Sequence, residues 1–143
     1  GIGKILKPKL IIMSEGDLRQ SLEKIKSPRI LVVGDLMLDY YSWGKVDRIS
    51  PEAPIPVMQV LREDRRLGGA GNVVMNLTTL GAEVLVCGVT GKDETGECIC
   101  KLLAEYGVDH SGVIISENYK SCLKHRMIAG QTHLLRMDID PDP

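Results

Sequence analysis

Two aspartates, Asp35 and Asp39, follow Gly34 at the end of the apolar run Ile30-Leu31-Val32-Val33. In an open sheet of parallel strands, ligands bind beyond the carboxyl ends of the strands. Carboxylates placed there can accept hydrogen bonds from vicinal hydroxyls such as those of a sugar, or one of the two can merely cap the turn. A second candidate is Gly68-Gly69-Ala70-Gly71-Asn72, which runs straight into a predicted helix. Glycines let a ligand approach the backbone, and the free amides of a helix's first turn point at it. Asn72 adds a side chain that both donates and accepts. The same run also reads as a flexible loop ending in an ordinary cap.

Nucleotide-binding motifs do not fit these glycines. In Gly69-Ala70-Gly71-Asn72-Val73-Val74, Val74 stands where a dinucleotide fingerprint needs its third glycine, and Gly69 follows a charged segment instead of a strand. Gly91-Lys92 is followed by Asp93, not Ser or Thr, and Val86 holds the first glycine position of a P-loop. Cys87, Cys98, Cys100 and Cys122 show no zinc-type spacing, and His110, His125 and His133 are scattered, so no metal site is expected. Reduced cysteines in a cytoplasmic protein are the expectation.

These residues need elements to position them. Ser14-Glu15-Gly16-Asp17 reads as a capping box opening a helix with Leu18, Leu22 and Ile25 on its packed face, ended by Ser27-Pro28. Ile30–Val33 predicts a buried parallel strand. Strand-like runs follow at Tyr40–Val46 and Ile55–Leu61, separated by a segment whose prolines 51, 54 and 56 belong to an edge or a connection. Arg62-Glu63-Asp64-Arg65-Arg66 reads as a solvated, self-neutralising loop. A helix follows the glycines, with Val73, Leu77 and Leu80 inward and Gly81 at its end. Val84–Cys87 is the next strand. Asp93 starts a helix with Ile99, Leu102, Leu103 and Tyr106 inward and Gly107 closing it, and Val113–Ile115 is a third core strand. Ser121–Ala129 and Thr132–Ile139 form a hairpin about Ala129-Gly130-Gln131. Alternating strands and helices predict an α/β, Rossmann-like parallel sheet, and the two extra strand pairs predict a separate small sheet inserted into it.

The 143 residues suffice for one cored domain, with no internal repeat. One Trp, four Tyr and no Phe leave the core to Val, Ile, Leu and Met. Eighteen basic and nineteen acidic residues, mixed along the chain, exclude the basic stripe of a nucleic-acid binder. Lys4, Lys7 and Lys9 precede only four apolar residues, too few for a signal core, and no stretch approaches a membrane span, so neither membrane nor nucleic acid is an expected partner.

The spacing of Gly68-Gly69-Ala70-Gly71-Asn72, Gly81 and Gly91 resembles the first signature of the ribokinase-like (PfkB-type) carbohydrate kinases, with Val74 where a small residue is usual. Gly91-Lys92-Asp93-Glu94-Thr95-Gly96 resembles the family's G-x-D-x-x-G turn. Gly34–Tyr40, Arg48–Val57, Lys124-x-Arg126 and Leu135-Arg136-Met137-Asp138 look like the kinase domain of ADP-heptose synthesis enzymes. The likeness runs from about Arg29 to Asp140. It implies a ribokinase fold with a small β-lid made of the two extra strand pairs, residues 40–61 and 121–139. It also implies substrate binding by Asp39 and Asp35, with Gly68, Gly69 and Asn72 completing the pocket. Lys124, Arg126 and Arg48 would then either meet a sugar phosphate or be exposed strand charges. Homodimerisation through the lid is a further implication.

Members of the family carry a second signature, Asp-Thr-x-Gly-Ala-Gly-Asp, that supplies the catalytic base, the anion hole and the surroundings of MgATP. No such segment occurs up to Asp140-Pro141-Asp142-Pro143, so the resemblance implies a base beyond Pro143. The expectation is therefore an extension (1–27) followed by the amino-terminal half of a sugar kinase domain (28–143). No catalytic residue is expected in the chain, and neither MgATP binding nor phosphorylation of heptose 7-phosphate is expected of it alone. The alternatives are another ribokinase-like sugar or nucleoside kinase, or a non-catalytic binding or assembly module.

Overall fold

The computed structural model describes residues 14–141. The segment from Lys4 to Met13 considered above lies outside them, and so does Pro143, the residue beyond which the base is expected. In order come α1 (Glu15–Glu23), β1 (Arg29–Val33), β2 (Leu36–Ile49), β3 (Pro56–Gly69), α2 (Ala70–Thr79), β4 (Glu83–Gly91), α3 (Glu94–Glu105), β5 (Asp109–Ser116), β6 (Cys122–Ala129) and β7 (Thr132–Ile139). They form a three-stranded sheet, β1-β4-β5, and a four-stranded sheet, β3-β2-β6-β7. The first is parallel throughout, from Arg29↔Glu83 to Val33↔Cys87 on one side of β4 and from Leu85↔Asp109 to Gly91↔Ser116 on the other. In the second, β6 lies parallel beside β2, and the β2–β3 and β6–β7 pairs are antiparallel. The mixed α/β architecture and the separate sheet agree with the sequence.

The core sits where the two sheets meet the helices. Val84 and Val86 of β4 face Val74 of α2 and Ile99 and Leu103 of α3, and Leu36, Leu38 and Leu67 reach the same cluster from the second sheet. Each such side chain, fully buried, contributes about 1.5–3 kcal/mol. Because β2 and β3 insert their roots into this cluster, the second sheet is anchored to the body by packing as well as by chain connection.

Several elements differ from expectation. β2 and β3 are each 14 residues long, and Arg62–Arg66 lies within β3, not in a loop. The reason is the opposite strand: Arg62 lies 4.0 Å over the Trp43 ring, Arg65 4.4 Å over Tyr40 and Arg66 5.3 Å over Tyr41. Guanidinium groups on aromatic faces let a charged run pair as a strand. On α2 the buried face is Gly71 and Val74, whereas Val73 and Leu80 are exposed. The helix backbone at Gly71 rests directly on Leu67, which rotates the packed face away from Val73. Tyr106, expected inward, is 44% exposed at the end of α3.

The capping box of α1 is present, with Ser14 Oγ accepting from the Asp17 amide at 3.2 Å. The helix ends at Glu23, before Ile25, and both Leu18 and Ile25 are exposed instead of packed. α2 and α3 both end in Schellman hydrogen bonds, Ala82 to Leu77 and Val108 to Leu103, each 3.0 Å. The parallel sheet is covered on the helix side alone among the described residues. On its other face Leu31 is 58% and Val33 71% exposed, and Ile114 on β5 is also exposed, so these strands are not the doubly buried ones their composition suggests.

Candidate functional site

Alternation along β2 puts Met37, Asp39, Tyr41 and Trp43 on one face of the second sheet and Leu38, Tyr40 and Ser42 on the other. Register carries the division outward. Asp39 lies opposite Arg66 of β3 and Lys124 of β6, and Tyr41 opposite Asp64 and Arg126. One face is thus polar and cationic around two stacked rings, Tyr41 and Trp43, 5.3 Å apart and inclined by 13°. The other is apolar near the body and continues into a stack of Tyr40 on His125 at 4.1 Å.

Asp39 lies within β2 and not in the turn beyond β1, so it is separated from Asp35 by a register of strand residues. Its carboxylate is fixed from two sides. Oδ1 accepts from Arg126 Nη1 at 2.5 Å. Oδ2 faces the backbone of Gly68, where a Cβ would sit only 2.5 Å away, so a residue with any side chain would displace it. Asp39 holds the Arg126 guanidinium even more firmly protonated than usual, against the opposing effect of burial.

Asp35 is exposed in the β1–β2 turn, and it is its carbonyl that serves the structure, accepting from the Ala70 amide at 2.9 Å. Gly69 stands over that carbonyl with φ of 57°, a left-handed conformation in which a Cβ would also strike the Asp35 oxygen at 2.5 Å. The sequence therefore needs glycine at 68 and 69 for two separate reasons, one of them being room for a carboxylate. Asn72 is exposed on the first turn of α2.

The expected cations separate. Lys124 is bound by two carboxylates, Asp140 at 2.5 Å and Asp138 at 3.3 Å, which raise its pKa above the ordinary lysine value, Asp140 most. Arg126 pairs with Asp39 and lies 5.1 Å over the Tyr41 ring. Arg48 is not brought to the site, since it lies nine residues further along β2, about 30 Å for an extended strand. Pro143 stands outside the described residues, so the structure gives no geometry to the base expected past it. Tyr41, Trp43 and Arg66 are not singled out by the sequence. The signal that finds the two rings is their i, i+2, i+4 relation to Asp39 once β2 is known to start at Leu36.

Asp93 works elsewhere. Its Oδ1 accepts the Gly96 amide at 2.8 Å and caps α3, and Oδ2 accepts the Ser121 amide at 3.0 Å. Burial acts to raise its pKa, but these two amides with Lys120 outweigh it and hold the carboxyl below its ordinary value. Ser121 Oγ in turn accepts from the Gly91 amide at 2.8 Å, so the 91–96 turn and the start of β6 are tied together. A concavity of about 540 Å³ beside this turn, lined by Gly91, Gly96, Glu97, Cys100 and Ile115 among others, contains none of the expected sugar contacts.

Among the described residues, then, a parallel sheet with one helical layer carries a second sheet that grows from its first strand connection, and that sheet holds a carboxylate beside a glycine pair. Residues 27–138 match the pfkB family carbohydrate kinases, and the chain belongs to that family. Over 121 residues it is 48% identical to the D-beta-D-heptose 7-phosphate kinase of Bordetella bronchiseptica, covering 85% of this chain and 38% of that protein. Over 124 residues it is 45% identical to the bifunctional protein HldE of Pelobacter propionicus, covering 84% of this chain and 25% of that protein. The chain thus spans well under half the length of these curated relatives. The structure of Arabidopsis thaliana ribokinase complexed with ribose and ATP superposes with a TM-score of 0.61 over 82% of this chain and 37% of that one, at 18% identity, which establishes the ribokinase fold.

Proposed function

We propose that residues 28–143 are the sugar-holding half of a kinase domain that transfers the γ-phosphate of MgATP to the anomeric hydroxyl of a heptose 7-phosphate, a step in ADP-heptose synthesis. Residues 1–27 form an extension to it. The names of the relatives support the substrate. The observation that carries the reading is Asp39, held on a polar sheet face by Gly68 and Arg126 with an aromatic pair beside it, an arrangement suited to hydroxyls and a phosphate. Asp39, Gly68 and Gly69 are the primary sugar contacts in this reading, Asn72 and Asp35 border them, and Arg126 and Lys124 face the phosphate.

Among the described residues no group of three or more His, Cys, Asp or Glu side chains is placed to hold a metal ion. In this reading MgATP and the catalytic base belong to the whole protein, the base lying past Pro143, and residues 1–143 alone are not expected to turn over. No helix among the described residues is long and apolar enough to cross a membrane. Work on a cytoplasmic sugar phosphate suits the reading, with the second sheet acting as a lid that also joins two copies.

The test compares Asp39→Ala with Asp93→Ala in the intact protein by calorimetry with heptose 7-phosphate. Loss of a hydrogen bond to a charged group costs about 1.5–3 kcal/mol, so Asp39→Ala should weaken binding roughly tenfold to a hundredfold while Asp93→Ala leaves it near wild type. Equal effects on folded protein would mean that the pocket lies elsewhere.

A further inference from the structure

Arg126 and Asp39 are joined while each is expected to meet a different part of the ligand, and this has a consequence for selectivity. We infer that Arg126 is a specificity-determining residue that occupies Asp39 until a phosphate group on the ligand draws it away, so that only a phosphorylated sugar frees the carboxylate for hydroxyls. The inference rests on the proposed sugar site.

The charges around Asp39 single out this pair. Lys124 is held by Asp138 and Asp140, Arg66 by Asp64 at 2.7 Å, and Arg136 by Asp138 at 3.0 Å. None of those cations uses a proposed sugar contact as its partner, whereas Arg126 does. The side chains of Asp39 and Arg126 are each 23% exposed, so the pair is partly desolvated yet open to an incoming ligand. Oδ1 carries the guanidinium, while Oδ2 lies in the space that the missing side chain of Gly68 leaves, so it is the Oδ1 position that hydroxyls must share with Arg126.

Departure of the guanidinium has somewhere to lead. Its carbon already lies 5.1 Å from the Tyr41 ring centroid, so it can slide along the ring toward a phosphate without losing the cation–π contact. A phosphate monoester carries nearly two negative charges near neutral pH and presents a fork to arginine, outcompeting a carboxylate of one charge. The hydroxyls of the same ligand then satisfy the vacated Asp39, which would otherwise be left charged and unpaired. A sugar lacking phosphate must break the ion pair with nothing to receive the arginine, and it binds poorly for that reason.

The experiment uses the intact protein and two ligands, heptose 7-phosphate and the unphosphorylated heptose, with affinities from calorimetry and ligand-observed NMR. Arg126→Gln should weaken the phosphorylated ligand by about tenfold or more and, by freeing Asp39, tighten the unphosphorylated one several-fold. Arg126→Met, which keeps the stem over Tyr41, gives the same opposed response and serves if the glutamine variant does not fold. Unchanged or weaker binding of the unphosphorylated heptose by the folded variant overturns the inference. Asp39→Ala separates the two levels: if it leaves both ligands unaffected, the sugar site itself is misplaced, whereas a loss there without tightening in Arg126→Gln removes only the latch.

Discussion

Asp39 and His125 stand one register step apart on opposite faces of the β2–β6 pair. His125 is stacked on Tyr40, and its Nε2 shares a 2.8 Å hydrogen bond with the buried hydroxyl of Ser42, with Glu63 and Arg65 the charged groups facing it. Burial lowers its pKa from 6.5, Glu63 opposing and Arg65 adding to that effect. The unfolded chain then takes up a proton that the folded one resists, so stability contributed by neutral His125 is complete above the unfolded value. It is lost as pH falls from there through the lowered folded value. Melting temperatures taken from about pH 7.5 to about pH 5.5 should fall more steeply for wild type than for His125→Gln. Parallel slopes would show that the imidazole is not buried neutral. At this scale the sequence is partly legible: Asp39, Gly68 and Gly69 announce themselves by type and spacing. The Arg126–Asp39 contact spans 87 residues, and it depends on a parallel register that no local pattern encodes.

Elements are legible where local chemistry decides them and obscure where a neighbour does. The capping residue of α3 is such a local signal, and in the structure Asp93 also holds the first amide of the chain entering β6. Asp93→Ala therefore orphans two amides, and a loss of about 1–3 kcal/mol in urea unfolding is expected, with Asp93→Asn recovering part of it. A loss below about 0.5 kcal/mol, the low end for caps, would show that these bonds are replaced by water. The Arg62–Arg66 run reads as a loop because nothing within β3 reveals that Tyr40, Tyr41 and Trp43 lie across from it. The face of α2 differs by one position for a similar reason, since close approach to Leu67 at Gly71 fixes its rotation and periodicity alone does not.

For the molecule as described, alternation of strands and helices predicts the parallel sheet and the two extra strand pairs predict the second, but neither predicts that one face of the parallel sheet stands uncovered among the described residues. Two apolar surfaces can thus drive association: that face, with Leu31 and Val33, and the second sheet, where Leu61 is 66% exposed at a bulge of β3 and Leu135 is exposed on β7. Pairing through the second sheet predicts a dimer in sedimentation at high protein concentration that Leu61→Lys converts to monomer and Leu31→Lys does not. A wild-type chain that stays monomeric, or a dimer sensitive only to Leu31, contradicts it. The same sheet has a mechanical side. β2 and β3 run unbroken for 14 residues, about 45 Å, from a root clamped by Leu36, Leu38 and Leu67 to a tip at Ile49 and Pro56. This is a cantilever whose soft points are the irregularities at Trp43/Gly44 and Val46/Arg48, both on the tip side of Asp39. A load on the tip is taken up at those two points, and the carboxylate near the root keeps its place while the far end swings.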